Sequence, residues 1–463
     1  MARIEGVVTA IKFGGTDADN IYTVVSERVV QFKSRIRLNL YDRVAAHTDG
    51  DGAAEVELLG EGRDEYADLI DGVIGSIEIS APSAAYLEAP GTEALRRLAP
   101  AMTEAALTFL RAFVSGAPII IRFHNDGDGG DGAIALYKAI GAIGERLGVR
   151  SDSVIWILNN GVAYKPELFY SDALLLNRYE SVVSPVITII DFGTSPDSDG
   201  SIRQAAGKYD FVWVDHHPVN DFDYSMIKHY MSPWLEGGDS NLTAGALACC
   251  FAEMMSGIDA SLFKRASLIS DHSSYADYGD KEANDVAAVL DALTVRPEAP
   301  SGQKITPKYM LSVLEDKAKF GEVLHDVTSQ FSEAMEIGLA RAKRYTNASG
   351  IKVYAFDYSL VADKGFGYVT KGRFSTRLQD AIEERGGDRT LTLVYDRGTI
   401  SVRMGKSIAA EVEIIRIINE IIDEADYVDS GGGHNEAASI RTDSAHMKEL
   451  LALMLDKLGV MRS

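Results

Sequence analysis

Only two cysteines occur in the 463-residue chain, and they stand side by side as Cys249-Cys250 inside an apolar run. Adjacent cysteines build neither a disulfide framework nor a zinc cluster, and the pair suits buried helix packing in a reducing compartment. Positive charge is also scarce: 46 Lys and Arg face 68 Asp and Glu, a formal charge of −22. That sign excludes a protein that coats nucleic acid or an anionic membrane by bulk attraction, so a phosphate-bearing ligand must be met by metal ions or a small basic patch. No uncharged stretch reaches the ~18 residues of a membrane span, and Ala2-Arg3-Ile4-Glu5-Gly6-Val7-Val8 alternates like a strand rather than forming a signal peptide. A soluble, cytoplasmic protein with no membrane partner is expected. Apolar residues make up 46% of the chain, ample for packed cores, and the length suits about three domains.

Four segments differ in pattern. Residues 1–115 begin with short alternating runs, Gly6 to Phe13, Ile21 to Val25 and Val29 to Leu40, and read as a β-rich, OB-like module left through a helix over residues 93 to 114. Lys33, Arg35 and Arg37 recur at period two, which places three cations on one strand face with Phe32, Ile36 and Leu38 on the other. Such a stripe could track a single-stranded backbone, or be no more than a solvated face. Residues 116–279 carry the apolar runs Ile119 to Phe123, Val154 to Leu158, Val186 to Ile190 and Phe211 to Val214, with helical stretches between several of them. That is the pattern of a buried parallel sheet with crossover helices. Residues 280–345 read as a helical connector. Residues 346–463 read as a smaller α/β domain with strands at Lys352 to Phe356, Leu391 to Tyr395 and Ile400 to Arg403, a long helix over Ala409 to Glu424, and a final helix from Ala445.

In a parallel sheet ligands collect at the carboxyl ends of strands, so the residues at the end of each run decide the chemistry. The first run enters His124-Asn125-Asp126-Gly127-Asp128-Gly129-Gly130-Asp131-Gly132. As a dinucleotide fingerprint, Gly127-x-Gly129-x-x-Gly132 would point Asp128 and Asp131 into a pyrophosphate, and as a calcium loop the string has Tyr137 where a bidentate Glu is required. His-x-Asp-x-Asp-Gly at a strand end instead offers one imidazole and two carboxylates to a divalent metal. The hexapeptide alone is weak, since His47-Thr48-Asp49-Gly50-Asp51-Gly52 repeats it where a hairpin turn is the better account. The next runs decide: they end in Asp191, in Asp215-His216-His217, and, after Leu268-Ile269-Ser270, in Asp271. Four successive segments thus deliver carboxylate or imidazole to one sheet edge, a set that favours manganese or magnesium over zinc.

With these residues in place the chain resembles the DHH phosphoesterases, whose naming triplet stands here as Asp215-His216-His217. The resemblance covers His124 to Gly129, Asp191, Asp271 and the downstream Gly431-Gly432-Gly433-His434, the glycine-rich signature of the DHH-associated C-terminal domain, and so spans roughly residues 118 to 463. It implies that His124 and Asp126 hold one metal, that Asp128, His216 and Asp271 hold another, and that Asp191 bridges them. Asp215 would be a supporting carboxylate, and His217 would face the scissile phosphate. Asp131 departs from the small or hydroxyl residues common at its position and is taken as a helix N-terminal carboxylate. Ser401 and Arg403 resemble the family pair that grips a substrate phosphate, with Gly431, Gly432, Gly433 and His434 beside them, in a C-terminal domain expected to close over the metal centre.

The expected fold is therefore α/β, a parallel-sheet DHH catalytic domain plus a smaller α/β substrate domain behind a β-rich N-terminal module. The expected activity is that of a RecJ-like exonuclease using two divalent ions, manganese tilted over magnesium by the imidazoles, on single-stranded DNA or RNA. The acidic balance suggests recruitment by a replication or repair partner. The rivals are a phosphodiesterase or phosphatase of short oligonucleotides, pAp-type nucleotides or cyclic dinucleotides, and a non-catalytic replication scaffold.

Overall fold

A computed structural model describes residues 2–15, 19–48, 54–81, 92–219, 221–299, 301–433 and 436–460. Contacts divide the chain into two units, Met1–Phe320 and Gly321–Ser463. The first begins with β1 (Ala2–Lys12), β2 (Asn20–Val25), β3 (Val29–Ser34), β4 (Asp42–Thr48) and β5 (Ala54–Glu61), antiparallel in the order β3-β2-β1-β4-β5. Their alternation buries Val8, Tyr22, Val24, Phe32 and Val44 in one small core. β3 and β5, the two ends of that order, approach each other, so the sheet curls into a partly open, OB-like barrel. β3 stops at Ser34 rather than running to Leu40, because the Ile36 N–H donates to Ser34 Oγ (3.1 Å) and the Tyr22 hydroxyl donates to the Ile36 carbonyl (2.7 Å). Ile36 is consequently 45% exposed instead of sharing a buried face with Phe32 and Leu38. The repeat of the metal-like string lies between β4 and β5, which pair antiparallel up to Thr48 and Ala54; residues 49–53 are outside the described residues.

After α1 (Tyr66–Ile74) and α2 (Thr92–Ser115) come β6 (Ile119–His124), α3 (Gly127–Leu147), β7 (Val154–Asn159), α4 (Pro166–Leu176), β8 (Tyr179–Ser181), β9 (Val186–Ile190), α5 (Asp199–Ala205), β10 (Asp210–Val214) and β11 (His229–Met231). β8 pairs with β1 and the Thr9 hydroxyl donates to the Ser115 carbonyl (2.8 Å), which fastens the barrel to the rest of its unit. The other five strands form a parallel sheet, β11-β10-β9-β6-β7, and the four apolar runs are four of them. Strands are added on one side of β6 and then on the other, so a topological switch falls between β6 and β9. Helices α6 (Ala244–Ser256), α7 (Ser261–Ser270), α8 (Lys281–Thr294) and α9 (Pro307–Glu315) complete the unit. Leu268 to Ser270 is thus the end of a helix and not a strand, while Cys249 and Cys250 are free and buried within α6. Inside the apolar run of β6, Arg122 is buried against Asp172 of α4 (2.6 Å), and the Tyr164 hydroxyl donates to the same carboxylate (2.8 Å).

The second unit holds most of α10 (Lys317–Arg341), then β12 (Lys343–Thr346), β13 (Lys352–Asp357), α11 (Ser359–Ala362), α12 (Lys371–Gly386), β14 (Thr390–Tyr395), β15 (Thr399–Met404), α13 (Lys406–Val412), α14 (Ile414–Glu424), β16 (Val428–Gly433), β17 (Ala437–Thr442) and α15 (Met447–Lys457). The sheet order is β12-β13-β14-β15-β17-β16, and Val353, Leu393, Val402, Ile418 and Ile440 share its core. The single helix expected over Ala409 to Glu424 is broken in two, because Glu413 adopts φ of 46° between α13 and α14. Among the described residues no helix is long and apolar enough to cross a membrane.

Candidate metal centre

Parallel register pairs Phe123 with Ile190 and Ile190 with Val214, so the residues next in the chain, His124, Asp191 and Asp215, emerge side by side at the switch point. Asp191 has φ of 66°, a strained conformation for a residue with a side chain, held by its N–H donating to the Val214 carbonyl (2.9 Å). From there one carboxylate reaches two histidines: Oδ2 lies 3.3 Å from His124 Nδ1 and Oδ1 lies 3.3 Å from His216 Nε2. Asp126 Oδ2 is 2.5 Å from His124 Nδ1, while its Oδ1 caps α3 by accepting the Gly129 N–H (3.0 Å). Gly129 is required there, since a Cβ would stand 2.7 Å from the His124 backbone. Two clusters with metal-ligand spacing result, His124-Asp126-Asp191 and Asp191-His216-His217, and Asp191 belongs to both.

His216 Nδ1 sits 2.8 Å from the Ser240 carbonyl, a contact that requires an N–H and leaves Nε2 as the nitrogen turned towards Asp191. Asp215 is fully buried and its oxygens are occupied. Oδ1 accepts from the N–H groups of His216 (2.8 Å) and His217 (3.2 Å) and from His217 Nδ1 (2.7 Å), and Oδ2 accepts from the Thr194 hydroxyl (2.6 Å). These bonds hold the ring of His217, whose side chain is 43% exposed. Asp271, at the end of α7, places Oδ2 3.6 Å from His216 Nδ1, on the outer nitrogen, and lies outside both clusters. Asp128 is buried on α3; its Oδ1 accepts from the Gly245 N–H (3.1 Å) and the Ser267 hydroxyl, and its Oδ2 has no hydrogen-bond partner among the described residues.

The electrostatics are those of crowded carboxylates in low dielectric. Burial opposes charge on His124 and His216, but Asp126 and Asp191 around the first, and Asp271 and Asp191 around the second, outweigh it and hold both well above the ordinary histidine value. Burial likewise opposes His217, and Asp215 reverses the balance and raises it. Burial and then Asp191 push Asp128 well up, and burial, partly offset by His216, pushes Asp271 to about 6. Against burial, His124 holds Asp126 and His217 holds Asp215 well below the usual carboxylate range. Asp191 Oδ1 and Asp128 Oδ2 are buried without hydrogen bonds among the described residues. The orphaned Asp191 oxygen, beside Asp126 and the imidazoles of His124 and His216, belongs to a donor set that fits divalent cations.

Two residues here carried no sequence signal for their role. Asp131, expected to be a helix N-terminal carboxylate, is fully buried with neither oxygen hydrogen-bonded among the described residues, and burial followed by Asp128 pushes it well above the carboxylate range. Asp291 of α8 accepts from the Gly127 N–H and the Ser270 hydroxyl, both at 2.7 Å, and so ties the start of α3 to the end of α7, between Asp126 and Asp271. Asp131 stands within the motif string, but nothing in the string signals its burial, and Asp291 has no motif or spacing that marks it.

In the second unit Ser401 and Arg403 lie on the face of β15 opposite its core residues Ile400, Val402 and Met404. Arg403 Nε donates to the Thr376 hydroxyl (3.2 Å), and burial lowers its pKa. Gly431, Gly432 and Gly433 form the end of edge strand β16, with Gly432 in register with Ser439 and Ser439 with Ser401. A Cβ at Gly431 would meet Ile418 at 2.5 Å, whereas Gly432 faces open space. His434 lies outside the described residues. In the first unit Lys33 is exposed on β3; Arg35 and Arg37 lie beyond its end, and Arg35 pairs with Asp19 at 2.9 Å.

No protein-family model matches the chain. An uncharacterized protein of Methanocaldococcus jannaschii is 33% identical over 180 residues, which cover 35% of this chain and 23% of that protein, so the match spans about a quarter of the relative's length. Among solved structures, the DHH domain of a member of a ribosomal-protein family superposes with a TM-score of 0.73 at 21% identity, over 86% of this chain and 98% of that one. A manganese-bound exonuclease RecJ superposes with a TM-score of 0.51 at 15% identity, over 78% and 95% of the two chains. RecJ of Thermus thermophilus, in complex with Mn2+, gives 0.51 at 15% identity, over 82% of this chain and 56% of that one. The chain has the DHH-domain fold in its RecJ-like form.

Proposed function

We propose that the chain is a divalent-metal-dependent phosphodiesterase that removes nucleotides from an end of single-stranded DNA or RNA. The observation that carries the reading is Asp191, strained into a conformation from which its two oxygens face His124 and His216, one of them buried with no hydrogen bond among the described residues. In this reading His124 and Asp126 hold one ion, Asp128, His216 and Asp271 the other, and Asp191 serves both. Two such ions, manganese or magnesium, supply charge neutralisation and Lewis-acid polarisation of phosphoryl oxygens when bound. The chain's own groups do the rest. Asp215 fixes His217 through Nδ1 and favours its charged form, in which Nε2 carries a proton for a leaving oxygen. Ser401, Arg403, Gly431, Gly432, Gly433 and His434 bind a substrate phosphate, Arg403 through its bidentate fork. A replication or repair partner recruits an enzyme whose own charge repels nucleic acid.

The test is manganese-dependent hydrolysis of end-labelled single strands, long and short, DNA and RNA, beside cyclic dinucleotides, with Asp191→Ala as control. Progressive shortening from one end, absent in the variant, is expected. Cleavage confined to di- to pentanucleotides or cyclic dinucleotides would replace the substrate assignment, and no cleavage with either metal would leave a scaffold.

A further inference from the structure

The end of β1, the turn after it and the edge of β3 enclose an open cleft of about 300 Å3 lined by Lys12, Phe13, Asp19, Lys33 and Arg178. We infer that this cleft binds the sugar-phosphate backbone of a single-stranded nucleic acid through Lys12, Lys33 and Arg178, with Phe13 as a stacking platform for a base. The inference rests on the nuclease reading above and adds where the strand is held away from the metal clusters.

Four observations carry it. First, in a chain of formal charge −22 the cleft gathers three cations. Asp19, the one acid among the described lining residues, is already met by Arg35 at 2.9 Å, so its charge offsets the three cations less. Second, the cations sit on a rigid frame. Lys12 pairs with Tyr179 in the β1–β8 ladder, Lys12 Nζ donates to the Asp152 carbonyl (3.0 Å) and lies 5.3 Å over the Tyr179 ring, and the Phe13 N–H donates to the Arg178 carbonyl (2.9 Å). Third, among the described residues neither Lys33 nor Arg178 makes an ion pair, so both charges are available to a ligand. Fourth, Phe13 is 38% exposed beside them. Cations that track a backbone next to an exposed aromatic ring are the pairing single strands require, and an acidic peptide has no use for the ring. The position is also the expected one, since OB-like barrels bind oligonucleotides on the strand 2–3 face and the loop between strands 1 and 2. The structure thereby narrows the basic stripe: Lys33 belongs to the cleft, Arg35 is engaged with Asp19, and Arg37 lies past the strand.

The experiment uses the full chain with divalent ions chelated, so that binding is read without cleavage. A fluorescent oligothymidylate is titrated by anisotropy against wild type, Lys33→Ala/Arg178→Ala and Phe13→Ala, over salt from about 50 to 200 mM. Two lost phosphate contacts should lower the log–log salt slope by about 1.4 and weaken binding roughly 25-fold near 0.1 M salt. Phe13→Ala should weaken binding about tenfold without changing the slope. Unchanged slope and affinity in the double variant would overturn the inference, as would polyglutamate competing as well as the strand. A wild type that binds through the cleft but, once Mn2+ is restored, cleaves no strand sinks the nuclease reading and leaves the cleft standing. A double variant that binds like wild type and, once Mn2+ is restored, cleaves long strands like wild type sinks the cleft alone.

Discussion

Replacing Asp291 by alanine tests whether the metal centre is held in shape from outside it. Its Oδ1 accepts two hydrogen bonds at 2.7 Å, from the Gly127 N–H in the first turn of α3 and from the Ser270 hydroxyl at the end of α7. Each bond to a charged acceptor contributes about 1.5–3 kcal/mol, a gross loss of roughly 3–6 kcal/mol. Two effects offset part of it: the Ser270 hydroxyl can rotate to another acceptor, and removing the carboxylate relieves its repulsion with Asp131. The buried Gly127 N–H, fixed in a helix end, has no such freedom, so a net loss of about 2–3 kcal/mol is expected. At ~2.1 cal/mol/K per residue, unfolding of the unit Met1–Phe320 loses about 1.5 °C of Tm per kcal/mol, giving a drop of about 3–5 °C by calorimetry. Because the two tied segments precede Asp128 and Asp271, manganese affinity should fall with it, by about tenfold to a hundredfold. Asp291→Asn, which keeps an acceptor oxygen, should recover most of both. An alanine variant with wild-type Tm and wild-type manganese affinity would refute the reasoning.

The same geometry sets three further outcomes. Asp172→Ala leaves the Arg122 guanidinium buried and unpaired and should cost about 3–5 kcal/mol in urea unfolding, while leaving metal stoichiometry unchanged in the folded fraction. In the metal-free protein, stability should fall as pH rises: Asp271 is raised to about 6, so its contribution drains between roughly pH 4 and 6, and the raised His124 and His216 lose theirs as pH climbs through their folded values. Asp126 and Asp215, both lowered, act in the opposite sense only at acid pH below the usual carboxylate range. Manganese, by replacing the protons, should flatten that fall, and an apo protein that gains stability between about pH 5 and 8 would contradict the assignment. Arg403→Ala should raise KM about tenfold or more with a smaller effect on kcat, and an equal fall in kcat and kcat/KM with KM unchanged would mean that its grip matters only in the transition state.

The parallel sheet was legible because each strand is a short apolar run bounded by polar residues, and the row of His124, Asp191 and Asp215 was legible because register brings the residues after Phe123, Ile190 and Val214 side by side. The features that escaped depend on side chains that fold back on the backbone or on partners distant in sequence. Ser34 and the Tyr22 hydroxyl end β3 early and expose Ile36, against an alternation that continues to Leu38. Arg122 sits unmarked in an apolar run because its partner Asp172 is fifty residues away. Asp271 arrives from a helix end, since Leu268 to Ser270 is too short a run to separate strand from helix. Asp291 acts through a backbone N–H of Gly127, which no residue pattern records.

The account rests on Asp191 serving two ion sites at once, and calorimetric titration of the metal-free full chain with Mn2+ tests this most directly. Wild type should bind two ions per chain, and Asp191→Ala, which removes the carboxylate shared by the two clusters around His124 and His216, should lose measurable affinity at both. Two ions bound by the variant with wild-type affinities would contradict the account.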